Sequence, residues 1–315
     1  MIGRLALCLT LAPATAGAFD LALPLDCTLG ETCFIQQFPD HDPGPAARDF
    51  TCGSLTYDGH DGTDFALVSD AAMAAGVTVR AAADGVVRGM RDGMADLRIS
   101  DPAAPALNGQ DCGNGIAITH AHGWETQYCH LKRGSVQVAA GQKVQAGQAL
   151  GQVGLSGNTE FPHLHLTVRR NGRPVDPFVP DAQACGPAAK GLWQAPLPYV
   201  AGGIVSAGFA PEIPEFDAVK AGTAPPASDT APALVFWAQL YGTRKGDRLI
   251  LQLSGPLETL VEESFTFDRP QARAFRAVGR KLRDDSWPPG TYHGTARLMR
   301  DGAEIDRVVS KVILP

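Results

Sequence analysis

The sequence predicts an all-β protein in two parts: an antiparallel β-sheet domain followed by a small β-sandwich. Three observations carry this expectation. The 315 residues include 35 Gly and 24 Pro, nearly a fifth of the chain, and such a density of turn formers disfavours helical bundles. Apolar residues recur in short alternating runs, and long helical periodicity is missing. A Pro/Ala/Gly-rich stretch at 201–231 separates two such series.

The elements follow in chain order. Arg4, the apolar run Leu5 to Leu11 and the small triplet Ala16-Gly17-Ala18 have the build of a secretory signal peptide over 1–18, with Phe19 as the expected mature start. The apolar run is far shorter than the roughly 20 residues of a membrane span. Cys8 lies inside that run and not at the cut, which argues against a lipid anchor. Six cysteines then remain: Cys27, Cys33, Cys52, Cys112, Cys129 and Cys185. An even number in an exported chain points to disulfides. The favoured pairing is Cys27–Cys33 as a local loop and Cys112–Cys129 across a hairpin, leaving Cys52–Cys185. Zinc–thiolate binding is the competing use, but no Cys-x-x-Cys pair supports it.

Residues 19–55 are rich in Pro, Asp and Cys and are expected to form an irregular, disulfide-stapled lead-in. Residues 56–200 form the first domain, with strands expected at Val77-Thr78-Val79, Gly85-Val86-Val87, Gly115 to Ile118, Gln127-Tyr128, Val136 to Val144 and Gly147 to Gly154. Residues 201–231 are expected to be a linker. In 232–315, the runs Leu249 to Leu253 and Val308 to Leu314 and the turn Trp287-Pro288-Pro289-Gly290 suggest a β-sandwich, immunoglobulin-like in architecture. It contains no Cys and one His, His293, so chemistry is not expected there. Its removal is expected to leave the chemistry of the first domain intact. The net charge of −6 gives no footprint for nucleic acid, and no later segment is apolar for long enough to span a bilayer.

Three short segments hold the side chains suited to chemistry. His60-Asp61-Gly62-Thr63-Asp64 presents an imidazole and a carboxylate together, and Gly59 and Gly62 disfavour a helix. Taken alone, this segment is better explained as an Asp-rich surface turn. In His163-Leu164-His165-Leu166, strand alternation places both imidazoles on one face and the leucines on the other. Two such histidines reach a metal or serve a scaffold with equal ease. His130 ends the strand Tyr128-Cys129-His130-Leu131, where a lone histidine is usually structural. His120 and His122 are assigned to the hairpin or to solvent.

Taken together, the chain resembles the lysostaphin/LytM-type zinc metallopeptidases, which cleave peptide bonds in bacterial cell-wall peptidoglycan. The resemblance runs from about Tyr57 to Pro177. It rests on Gly59-His60-Asp61-Gly62-Thr63-Asp64, Ala83-Asp84-Gly85-Val86-Val87, Gly113-Asn114-Gly115-Ile116, Gln127-Tyr128-Cys129-His130-Leu131, Gly147 to Gly154 and Pro162-His163-Leu164-His165-Leu166. The resemblance implies a LytM-like peptidase domain holding one Zn²⁺ per chain on His60, Asp64 and His165. It places His130 and His163 as the catalytic pair, with hydrolysis by zinc-activated water and histidine acid/base help. No His-Glu-x-x-His occurs, so a helix-borne zinc site with a glutamate base is excluded. Leu166-Thr167 departs from the aromatic and Glu common in the family, and Cys129 beside His130 suggests a disulfide bracing the site. Residues 19–55 are not expected to cover the cleft, nor His41 among them to serve as a transient ligand. The expected activity is a zinc metalloendopeptidase acting on peptidoglycan peptides in the periplasm or outside the cell. The alternatives are an exported non-hydrolytic regulator of wall hydrolases, or a zinc peptidase of exported peptides.

Overall fold

The structure is a computed structural model that describes residues 19–182, 184–186 and 191–315. The expected signal peptide and Cys8 lie outside the described residues. The first half contains β1 (Cys33–Gln37), β2 (Thr63–Leu67), helix α1 (Asp70–Ala75), β3 (Thr78–Arg80), β4 (Gly85–Arg91), β5 (Asn114–Thr119), β6 (Trp124–Leu131), β7 (Lys143–Val144), β8 (Ala149–Gln152), β9 (His163–Arg170) and β10 (Arg173–Pro174). Its main sheet is antiparallel and ordered β1-β2-β9-β6-β5-β4-β7, with β10 beside β9 and a separate β3–β8 pair. The alternation in β9 explains its place: Leu164, Leu166 and Val168 are buried against Phe65, Ile116 and Ile118. Each such leucine contributes about 1.5–3 kcal/mol by leaving water. Tyr128 is fully buried, and its hydroxyl accepts the Ala82 N–H at 2.7 Å, so its polar tip is not orphaned.

The second half contains β11 (Gly203–Ala210), helix α2 (Phe216–Ala221), β12 (Ala233–Thr243), β13 (Arg248–Ser254), β14 (Thr259–Thr266), β15 (Gln271–Lys281), β16 (Gly290–Arg300) and β17 (Ala303–Leu314). They form a three-stranded sheet, β11-β12-β15, and a four-stranded sheet, β14-β13-β16-β17. Alternate residues from both sheets share one core: Leu234, Phe236 and Leu240 with Leu249, Leu251, Tyr292 and Leu298. This is the expected β-sandwich, and the protein is all-β apart from short helices.

Two segments are more regular than their composition suggests. The stretch 201–231, expected as a linker, carries β11 and α2, and β11 pairs with β12 over Gly203 to Ala210. Its small residues conceal a strand whose register is imposed by a distant partner. Residues 19–55, expected as an irregular lead-in, supply β1 and bury Leu21, Leu25, Phe38 and Phe50 in the main core. The three favoured disulfides are formed: Cys27–Cys33, Cys52–Cys185 and Cys112–Cys129. A further apolar cluster joins the halves, with Phe34 and Ala66 from the first packing on Tyr241 of the second, and Phe161 and Val205 at its edge. The sandwich is therefore packed against the first half and not suspended from a tether. No helix among the described residues is long and apolar enough to cross a membrane.

Candidate metal centre

The site lies where β2, β9 and β6 run side by side. Register alone places Asp64 opposite His165, Ala66 opposite His163, and Cys129 opposite His165 on its other flank. His130 follows Cys129, and His60 enters from the turn before β2, its N–H donating to the Tyr57 carbonyl at 3.0 Å. All five residues singled out in the sequence therefore meet in one place. His60, Asp64, His130 and His163 are buried, and His165 nearly so.

Each imidazole has one nitrogen committed to an anchor. Nδ1–H of His60 donates to the Phe38 carbonyl at 2.8 Å, and Nδ1–H of His130 to the Ser156 carbonyl at 2.8 Å. Nδ1–H of His163 donates to the Phe161 carbonyl at 2.9 Å, with Thr159 Oγ1 3.1 Å away. His165 reverses the pattern: Nε2–H donates to Asp61 Oδ1 at 3.2 Å, beside Thr167 Oγ1 at 3.0 Å. An anchor of this kind fixes the tautomer and leaves the opposite nitrogen as the donor atom for a metal or a proton.

The nitrogens left over at two histidines gather on Asp64. Its Oδ1 lies 3.2 Å from His60 Nε2 and 2.9 Å from His165 Nδ1, and these two nitrogens are 3.2 Å apart. Three atoms at the corners of a tetrahedral zinc site with bonds of about 2.0–2.1 Å stand about 3.3 Å apart. The donor set of two imidazoles and a carboxylate, and its spacing, therefore fit a zinc ion. These three residues form a cluster within metal-binding reach among the described residues. His163 Nε2 stands 3.5 Å from the same Asp64 oxygen, and the His130 ring is 4.6 Å from that of His163.

Electrostatics divides the imidazoles. Burial opposes ionisation of Asp64, but the His60 and His163 charges and hydrogen bonds from His165 and His60 hold its carboxyl well below the usual range. Burial pushes His130 well below 6.5, and the charges of His163 and His165 add to the effect. Burial also lowers His163, offset in part by Asp64 and the Phe161 carbonyl. At His165 burial is outweighed by the hydrogen bonds to Asp61 and Asp64, which raise it to about 9.

The backbone is shaped around these side chains. Gly62 is required because a Cβ there would stand 2.5 Å from His165 Nε2. His130 sits at φ +62°, a left-handed conformation that strains a non-glycine residue by about 1–3 kcal/mol. Cys112–Cys129 and the His130 N–H bond to the Cys112 carbonyl at 2.9 Å hold it there.

A groove of about 1010 Å³ opens beside His60 and Asp61, lined by residues 39–44 and by Arg170, Arg173 and Asp176 among others. His41 is in it but faces Asp176 at 2.8 Å, and belongs to the wall. His120 donates Nδ1–H to the Asp84 carbonyl and lies against Thr126, away from the cluster. Sequence reasoning missed the anchors Asp61, Thr159 and Phe161. Asp61 lies inside the quoted His60-to-Asp64 segment, but its partner is 104 positions away.

Comparison with known proteins adds sequence matches over the region that holds the cluster. The model of Peptidase family M23 matches residues 58–177. Over 120 residues the chain is 36% identical to the DD-carboxypeptidase/endopeptidase Mpg of Neisseria meningitidis, covering 38% of this chain and 22% of that protein. Over 117 residues it is 35% identical to the peptidoglycan DD-endopeptidase ShyA of Vibrio cholerae, covering 37% and 22%. The match thus spans about a fifth of the length of these relatives. Among solved structures, the catalytic domain of the prophage-encoded M23 protein EnpA from Enterococcus faecalis is 23% identical, covering 53% of this chain and 98% of that one with a TM-score of 0.34. The stretch 58–177 that matches the model of peptidase family M23 contains every residue of the cluster.

Proposed function

We propose that the protein is an exported zinc metalloendopeptidase that hydrolyses peptide bonds in bacterial peptidoglycan. The observation that carries this reading is the set of four anchored imidazoles around the buried carboxylate of Asp64. His60 Nε2, Asp64 Oδ1 and His165 Nδ1 would hold one Zn²⁺, leaving a fourth position open to water as a catalytic site requires. Bound there, the ion supplies Lewis acidity that polarises the scissile carbonyl and acidifies the water.

The remaining work falls to His130 and His163. Their depressed basicity keeps both neutral near pH 7, so either can take the proton of the attacking water. The same imidazole, now protonated, gives that proton to the amine as the C–N bond breaks, and its N–H can donate to the developing oxyanion. The Ser156 and Phe161 carbonyls keep the two rings in the required tautomer. Three disulfides suit an oxidising compartment, periplasmic or extracellular. The relative named as a peptidoglycan DD-endopeptidase supports the substrate class.

The test is mass spectrometry of products released from purified sacculi by the zinc-loaded protein, with a chelated control. The reading requires new peptide termini that disappear with chelator. Intact sacculi from a zinc-loaded protein would contradict it and favour a non-hydrolytic regulator.

A further inference from the structure

The two halves of the molecule meet beside the imidazole of His163. Arg273 on β15 reaches out of the sandwich, and its Nε–H donates to Gln36 Oε1 of β1 at 2.9 Å. Its guanidinium carbon lies 5.1 Å from the centre of the Phe34 ring and 5.4 Å from that of Phe161. Phe161 in turn stacks on His163, with ring centres 4.4 Å apart and planes 25° from parallel. The Phe161 carbonyl is also the acceptor for His163 Nδ1–H, and the Thr159 hydroxyl donates to the same carbonyl at 2.8 Å. An unbroken series of contacts therefore leads from the sandwich to an imidazole of the candidate site.

This placement of a guanidinium is unusual enough to need a reason. Burial pushes Arg273 down to about 10, only partly offset by the charges of Asp70 and Tyr241. What it touches is two aromatic faces and one amide oxygen, which is the geometry of a cation–π clamp. Arg276 offers the contrast: it lies over Phe267 and bonds the Phe275 carbonyl, all within the sandwich.

We propose that Arg273 is a positioning residue for His163, through which the sandwich holds Phe161 and so sets the plane and tautomer of the imidazole. The proposal rests on the peptidase reading for its catalytic consequence but not for its structural one. With Arg273 in place, the Phe161 ring is in contact with both the guanidinium and the imidazole, and its carbonyl stays in line with Nδ1–H. Without it one face of that ring is free, the segment 159–162 can turn, and His163 Nε2 is no longer held toward Asp64. The sandwich then has a function that its lack of reactive side chains does not suggest. It acts as the second jaw on the loop that leads His163 into β9.

The test uses the full chain with Arg273→Ala, Arg273→Lys and, as a control, Arg276→Ala. The readouts are kcat and KM on soluble peptidoglycan fragments, zinc content, and the side-chain ¹H–¹⁵N resonances of His163, assigned with His163→Gln. For Arg273→Ala the expectation is a kcat lower by about 10- to 100-fold, the range for residues that orient a metal site from outside, with KM and zinc content unchanged. The His163 Nδ1 resonance should shift away from the protonated, hydrogen-bonded position. Arg273→Lys should recover part of both, because it keeps a cation on the rings and loses the bond to Gln36. Arg276→Ala should match the wild type throughout. His163 resonances identical to wild type in Arg273→Ala overturn the proposal. If that variant does not fold, Arg273→Lys and Phe161→Leu decide it by the same spectrum. If the wild type itself releases no peptides, the peptidase reading has failed, and the His163 resonances still decide the positioning role.

Discussion

The two halves of this molecule handle buried polarity in opposite ways. Among the described residues, the first half buries thirteen polar or charged side chains, including Asp64, His60, His130 and His163, whereas the sandwich buries four: Gln239, Thr243, Asp247 and Arg300. In the sandwich the charged pair closes on itself, with Arg300 bonding Asp247 at 2.8 Å and 2.6 Å and the carbonyls of Ala201 and Gly242. In the first half, several imidazoles are gathered around one carboxylate and tied from behind. Burying polar groups is unfavourable unless each is partnered, so a half that concentrates them has been shaped by chemistry as well as stability. The sandwich is shaped by packing, and it influences the site through one interface.

Several substitutions would break or sharpen that contrast. The largest effect is expected from Asp64→Ala, which removes the one carboxylate the imidazoles share. Zinc content, measured by plasma mass spectrometry, should fall to background, and turnover with it. His130→Ala comes next: zinc should stay while kcat drops by about 10²–10⁴, the usual contribution of a general acid–base. Full activity in that variant would remove His130 from its assigned role.

Zinc affinity should depend on pH with a definite sign. His165 is raised to about 9 in the metal-free protein, so below that pH a proton competes with the metal for Nδ1. Affinity should rise by about tenfold per pH unit up to about 9 and then level off. Calorimetry in buffers of different ionisation enthalpy should show about one proton released per zinc at pH 7–8. A flat profile would mean that His165 is not the competing ligand. The smallest effect on the site is expected from Leu251→Ala in the sandwich core. That variant should lose about 2–5 kcal/mol of stability yet, well below its melting temperature, hold zinc as the wild type does.

How much of this was legible in the sequence depends on how local each signal is. The alternation of His163-Leu164-His165-Leu166 is complete within four residues, so both the strand and the shared imidazole face could be read directly. The disulfide pairs followed from an odd short loop and an apparent hairpin. The anchors could not be found in this way. Asp61 acts on His165 and Phe38 on His60 only after β1, β2 and β9 are aligned, and nothing in their own neighbourhoods marks them. Arg273 is farther still: it reads as one more arginine on an exposed strand until β15 is seen against Phe34 and Phe161. The segment 201–231 shows the same limit from the other side. Its Pro, Ala and Gly suggest a tether, and β11 exists because β12 offers it a register. The sandwich likewise read as separable, and the cluster of Phe34, Ala66 and Tyr241 binds it to the first half.

The central claim is that His60, Asp64 and His165 form one zinc site in the first half of the chain. Anomalous diffraction at the zinc edge, collected on crystals of the zinc-loaded protein, tests it most directly. The account predicts one strong peak per chain, within bonding distance of His60 Nε2, Asp64 Oδ1 and His165 Nδ1. A peak elsewhere, or full zinc occupancy that survives Asp64→Ala, would contradict it.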